Sequence, residues 1–181
     1  MESLRFIKRH LASIIFACFT IYIMLLIFSF SAQTGDVSSG VSKSVSEAIA
    51  KLLVDGFSSL SQAEKLEQIK ALVPIVRKVA HFLVYAALGF FSLLSTLSFL
   101  RESKKELLLK KVLLGVSAFC LLYAASDEIH QLFVLERSGS ALDVILDFCG
   151  ACFGIAVSLL IFRIFCKLID KSTRKKEFYQ K

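Results

Sequence analysis

Residues 11–31, LASIIFACFTIYIMLLIFSFS, run for 21 positions without one charged side chain. A helix needs about 20 apolar residues to cross a hydrocarbon core, so this stretch puts the chain in a bilayer. Three further runs of the same kind follow: Val79–Leu100, Val112–Ser126 with the polar residues after it, and Val144–Phe165. The sequence therefore predicts an all-α polytopic membrane bundle with four transmembrane helices. Composition agrees, with 56% apolar residues in 181 and a mean hydropathy of +0.69. Soluble domains run at about 45–50% apolar. Arg5, Lys8 and Arg9 before the first run, and Ser29-Phe30-Ser31 at its end, imitate a signal peptide. A signal peptide has an apolar core of only about 7–15 residues, so an uncleaved anchor is expected.

The net charge of +7 is no sign of nucleic-acid binding once the apolar runs are accounted for. Fifteen of the 22 basic residues fall before span one, in Arg101–Lys111, or from Arg163 onward. Basic residues close to span ends stay in the cytoplasm. Both termini and the second connection are thus expected on the cytoplasmic side of the membrane, with a basic cytoplasmic tail over about 166–181. The chain reads as one domain. Its five cysteines lie in apolar runs without a framework spacing, and Cys149 and Cys152 read as small packing residues rather than a redox pair.

The long first connection is then outside, with a helical insertion over about 36–73. Ser44 with Glu47 reads as a capping box opening a short helix, with Val45, Ile49, Leu52 and Leu53 on one face. Ser61 with Glu64 reads as a second, followed by Leu66, Ile69, Leu72 and Val73. Pro74 suits the first turn of a third helix leading into span two. Both short helices are amphipathic enough to lie on the outer leaflet or cover the bundle.

With topology fixed, the unusual polar residues gather in one layer. Gln33 follows span one. Arg77, Lys78, His81 and Tyr85 open span two on one helical stripe, and Asp127, Glu128, His130 and Gln131 close span three. Arg137, Asp143 and Asp147 stand at the start of span four, above Gly150, Ala151 and Gly154. An ionisable group at the bilayer centre costs roughly 2.5–3.5 kcal/mol on insertion scales, so such residues face the bundle interior. A self-satisfied ion-pair network would account for three cations and four acids. Two histidines in the same layer, and cations against the positive-inside bias, favour a polar pocket toward the outer leaflet.

Three chemistries fit that pocket. Arg77, Lys78 and Arg137, with Gln33, Tyr85, Gln131 and Asp143 around them, would hold a phosphate or carboxylate by charge-assisted bonds. His81, Asp127, Glu128, His130 and Asp147 would supply general acid and base if the protein is an enzyme. The same groups are types that hold a divalent metal, but no HExxH and no histidine pair at i, i+4 is present. No metal site and no cofactor is therefore expected. Gly150 and Gly154 form a GxxxG that would pair helices within the bundle or between copies as a homo-oligomer.

Arg77-Lys78-Val79-Ala80-His81-Phe82 with Tyr85 and Leu88-Gly89 resembles the second-span motif of the VanZ-like family. Asp127-Glu128-Ile129-His130-Gln131-Leu132-Phe133 with Arg137, Gly139, Asp143, Asp147 and Gly150 resembles its third- and fourth-span motif. Phe28-Ser29-Phe30-Ser31-Ala32-Gln33 is similar to its first-span ending. Val37–Val73 and the basic tail carry no part of the likeness. The resemblance implies an integral protein of the bacterial cell envelope, in a family whose namesake is associated with teicoplanin resistance.

Two functions follow. One is a non-enzymatic protein binding a membrane lipid or a lipid-linked, phosphate-bearing wall precursor. The other is an intramembrane hydrolase or transferase acting on such a substrate. A channel or transporter subunit would need polar groups reaching the inner face. Span one offers only Thr20 and Tyr22 midway, and span four nothing ionisable between Asp147 and Arg163.

Overall fold

The computed structural model describes residues 2–100 and 106–179, with side chains described over 10–100 and 108–168. Residues 101–105 and the side chains of Arg5, Lys8, Arg9 and the tail beyond 168 lie outside the described residues. Much of the sequence-based orientation rests on them. Five α-helices follow in order: α1 (Glu2–Ser31), α2 (Gly35–Leu53), α3 (Gln62–Phe99), α4 (Glu106–Gln131) and α5 (Ala141–Tyr179). A 3-10 turn at Phe57–Ser59 joins α2 to α3, and no strand occurs among the described residues. Four of the helices are long and apolar enough to cross a membrane: α1, α3, α4 and α5.

α3 has 38 residues and α5 has 39. At 1.5 Å per residue each is about 57 Å long, well beyond a hydrocarbon core of about 30 Å. Each helix is therefore longer than the hydrocarbon core it would cross. The Ser61 box is formed as the sequence predicts. The Glu64 carboxylate accepts from Ser61 N–H at 2.8 Å, and the Ser61 hydroxyl accepts from Glu64 N–H at 3.4 Å.

Two expectations about the first connection are corrected. Pro74 starts no helix; it lies inside α3. The short helix opened by Ser61 and span two are one continuous rod, in which Pro74 removes only its own N–H from the ladder. Ser44 caps nothing either, because α2 begins nine residues earlier at Gly35. The Ser44 hydroxyl instead donates to the Gly40 carbonyl within the helix.

The face of α2 turned to the bundle is Ser42, Ser46 and Ala50, all buried, whereas Val41, Val45, Leu52 and Leu53 are exposed. Small residues let helices approach closely where lipid removes any hydrophobic drive between them. Elsewhere in the bundle large apolar side chains are buried as well. Leu25, Leu114, Leu122, Ile145 and Leu160 form its exposed surface, while the core is Tyr85, Leu88, Leu93, Cys120, Ala124, Ala151 and Ile155. Ser13 and Ser95 exchange hydroxyl-to-carbonyl bonds of 2.8 and 3.0 Å between α1 and α3. The Tyr123 hydroxyl donates to the Met24 carbonyl at 2.6 Å, fastening α4 to α1.

The tightest seam joins α3 to α5. A Cβ on Gly150 would overlap the Phe82 carbonyl, one on Gly154 the Ala86 carbonyl, and one on Gly89 the Ala151 carbonyl. The GxxxG of α5 is thus filled by α3 of the same chain. All five cysteines are free, and Cys149 and Cys152 face outward.

Candidate functional site

Gly150 and Phe82 are the contact from which the site can be built. Where those backbones touch, the residues one turn earlier on α5 and one position earlier on α3 are Asp147 and His81. His81 Nδ1 lies 3.5 Å from Asp147 Oδ2. α4 brings Asp127 to the same place: one ligand-type atom from each of His81, Asp127 and Asp147 lies within 4.8 Å of the others. Asp147 is wholly buried and Asp127 nearly so. Asp147 Oδ1 has no hydrogen-bond partner among the described residues. Tyr85, one turn below His81, is 0% exposed, and its hydroxyl sits beside Asp127 outside hydrogen-bond geometry.

Glu128 has a different duty. Its Oε2 accepts from the Ser140 N–H at 2.8 Å and its Oε1 from Gln131 Nε2 at 3.3 Å. A carboxylate at the start of α5 suits the positive end of that helix. Gly139 makes the bond reachable, since a Cβ there would meet the Glu128 carbonyl oxygen at 2.6 Å. Gln131 continues the chain, donating also to Asp127 Oδ2 at 3.2 Å and accepting from Arg137 Nη1 at 3.4 Å.

Arg137 then reaches the end of α1. Its Nη2 donates to the Phe30 carbonyl at 2.9 Å and its Nε to the Gln33 carbonyl at 3.1 Å. Phe30 lies in the last turn of α1, where carbonyls lack intrahelical donors, and Gln33 lies two residues past its end. Partial burial lowers the Arg137 pKa from its ordinary value and the charge of Arg77 adds to this, while Asp127 and Glu128 oppose it. An arginine remains charged under such shifts. Gln33 thus contributes a main-chain oxygen.

Two cavities of about 220 Å³ each open at this end of the bundle. The first is polar, between the start of α3, the α4–α5 loop and the start of α5, and includes Arg77, Lys78, Glu128, Arg137 and Asp143. The second is an apolar slot between α1, α2 and α3, walled by Ile27, Phe30, Val41, Val45, Val76 and Val84. Arg77, His81 and Arg137 line both. Among the described residues Arg77 and Lys78 enter no ion pair or hydrogen bond, although they stand on a cavity wall.

The structure therefore brings His81, Tyr85, Asp127 and Asp147 into one cluster, and Arg77, Lys78, Arg137 and Asp143 onto one cavity. His130 joins neither. Its ring stacks on Phe28 of α1 at 4.9 Å, and its buried Nε2 has no partner among the described residues. The contributions of Ser38 and Ser42 to the slot, and of Ser140 to Glu128, escape a reading by charge. The recurrence of Ser38, Ser42, Ser46 and Ala50 every four residues is the signal that would have found the first pair.

Comparison with known proteins matches the chain to a family. The family model described as VanZ/LLP1 covers residues 16–164, which includes every cluster and cavity residue named above. No curated protein and no solved structure matches the chain.

Proposed function

We propose that this chain, which belongs to the VanZ/LLP1 family, binds an anionic, phosphate-bearing lipid at the outer leaflet of the bacterial cytoplasmic membrane. One observation carries the reading. Arg77 and Arg137 line both a polar cavity and an apolar slot, and Arg77 and Lys78 have no partner among the described residues. A phosphate on those cations would leave its hydrocarbon chain to follow the slot between α1, α2 and α3. Charge-assisted bonds from guanidinium to phosphate are among the strongest available. Their strength rises where water is scarce.

The test uses purified protein in nanodiscs with polyprenyl phosphate and, separately, inorganic phosphate. Arg77→Ala and Lys78→Ala should each weaken polyprenyl phosphate binding about tenfold, which corresponds to about 1.4 kcal/mol. Unchanged affinity in both variants would remove the proposal. In a bacterial host the family resemblance extends it to teicoplanin: expression should raise resistance, and the same variants at equal abundance should lose it.

A second reading rests on a separate observation. His81, in contact with Asp147, lines both cavities, which is where a general acid or base would have to stand to reach a bound lipid phosphate. Mass spectrometry of lipids incubated with the protein would show a cleaved or transferred product that His81→Ala and Asp147→Asn no longer give.

A further inference from the structure

The cluster behind the cavities has an unbalanced charge. Asp127 and Asp147 are buried within 4.8 Å of one another. The cations of this end do not pair with them: among the described residues, the one salt bridge to either carboxylate is that of His81. Arg137 is spent on the carbonyls of Phe30 and Gln33. Buried carboxylates persist when paired, when they share a proton, or when they coordinate a metal.

We propose that His81, Asp127 and Asp147 form a binding site for one divalent transition-metal cation of the zinc or manganese type. The geometry suits it. Tetrahedral ligation at about 2.0–2.1 Å separates neighbouring ligand atoms by roughly 3.4 Å, and His81 Nδ1 to Asp147 Oδ2 measures 3.5 Å. The remaining edges, within 4.8 Å, close by rotation of the Asp127 side chain. The mixed donor set, one imidazole nitrogen and two carboxylates, suits a divalent transition metal rather than calcium, which takes oxygen ligands throughout.

A second observation points the same way. The Tyr85 hydroxyl and Asp147 Oδ1 are both buried at this spot without hydrogen-bond partners among the described residues, and Tyr85 and Asp147 are each 0% exposed. A bound cation and its water would satisfy both, with Tyr85 orienting Asp127 or donating to the water. Three protein ligands leave the fourth position for water or a ligand oxygen, and His81 stands between the site and the two cavities.

The experiment loads chelator-treated, full-length protein in detergent with Zn²⁺ or Mn²⁺ and measures bound metal after gel filtration. Wild type should retain about one ion per chain, whereas less than about 0.1 in folded protein would overturn the proposal in favour of a shared proton. His81→Ala and Asp147→Asn should each weaken affinity at least about tenfold; unchanged affinity in both would overturn it. Cys149→Ser with Cys152→Ser should bind as wild type does, and loss of metal there would assign the ion to the thiols instead. Should the cluster variants fail to fold, Co²⁺ in the wild-type protein decides. Ligand-field bands without thiolate charge transfer support the site, and thiolate charge transfer refutes it. No lipid phosphate is present in the assay, so its failure leaves the anion site of Arg77 and Lys78 untouched.

Discussion

The two ends of the bundle differ in both charge and packing. At one end, a groove of about 510 Å³ between α1, α3 and α4 is lined by Ala17, Thr20, Met24, Ser92, Thr96, Val116 and Phe119, with no ionisable group. At the other, two smaller cavities collect three cations, and behind them lies a histidine–carboxylate cluster whose two acids are buried. Around that groove, the described residues are joined by serine–backbone bonds and apolar contacts. Charge at the second end does part of that fastening through Glu128 and Arg137, whereas Arg77 and Lys78 bond to nothing among the described residues. It also stops at that end, and a polar route through the bundle would have to continue into the groove.

The largest test of that contrast is steric. Gly150 sets the distance between α5 and α3 beside Asp147 and His81, and a Cβ there collides with the Phe82 carbonyl. Overfilling a packed seam costs typically about 1–3 kcal/mol, so Gly150→Ala should lower the thermal midpoint and Gly150→Leu should abolish folded protein. Gly115 lies on the groove with nothing within 4 Å of its Cβ position. Gly115→Ala should therefore stabilise by roughly 0.5–1 kcal/mol, the helical preference of alanine over glycine. Thermal size-exclusion profiles of the two alanine variants would settle it. Equal shifts would mean that the ends do not differ in tightness.

The next effect is smaller and chemical. Arg137→Lys keeps the charge but cannot reproduce a fork that serves Phe30, Gln33 and Gln131 together. Leaving these carbonyls short of donors should cost about 1–3 kcal/mol. Lipid binding should fall with it, because the α1 end would no longer be held against the α4–α5 loop. A variant as stable as wild type would show that Arg137 is free for ligand, and would bring the polar end closer to a pure anion site.

How far the sequence reveals this difference depends on the scale of the physics involved. Twenty uncharged residues specify a span without any knowledge of neighbours, and so the four membrane-length helices are legible directly. The polar layer is legible too, since Arg77, His81, Asp127 and Asp147 each stand out against apolar surroundings. What stays hidden is which way each residue turns. His130 lies in the same layer as His81 but stacks on Phe28, because α4 offers that side of its last turn to α1. Val45, Ile49, Leu52 and Leu53 read as one apolar face of α2, yet Ser42, Ser46 and Ala50 are buried, because small side chains let α2 approach its neighbours closely. Pro74 reads as a beginning and proves to be an interior position, since a long helix can lose one N–H and continue.

The smallest expected effect is on the solvent side of α2. Glu47 pairs with Lys51 one turn on at 2.7 Å, and the hydrogen bond from Lys51, then its charge, hold the carboxyl below its ordinary value. A carboxyl depressed in this way contributes stability above its unfolded pKa and loses it as pH falls through the lowered folded value. Both side chains are about half exposed or more, at 48% and 58%, where water and salt screen the interaction almost completely. Glu47→Gln should accordingly leave the thermal midpoint unchanged at neutral pH, and the two proteins should stay together as acid is added through the ordinary carboxylate range. A gap opening in acid would show that exposed charge also supports this end. Coincident curves would confine the cost, and the purpose, of charge to the groups that the helices enclose.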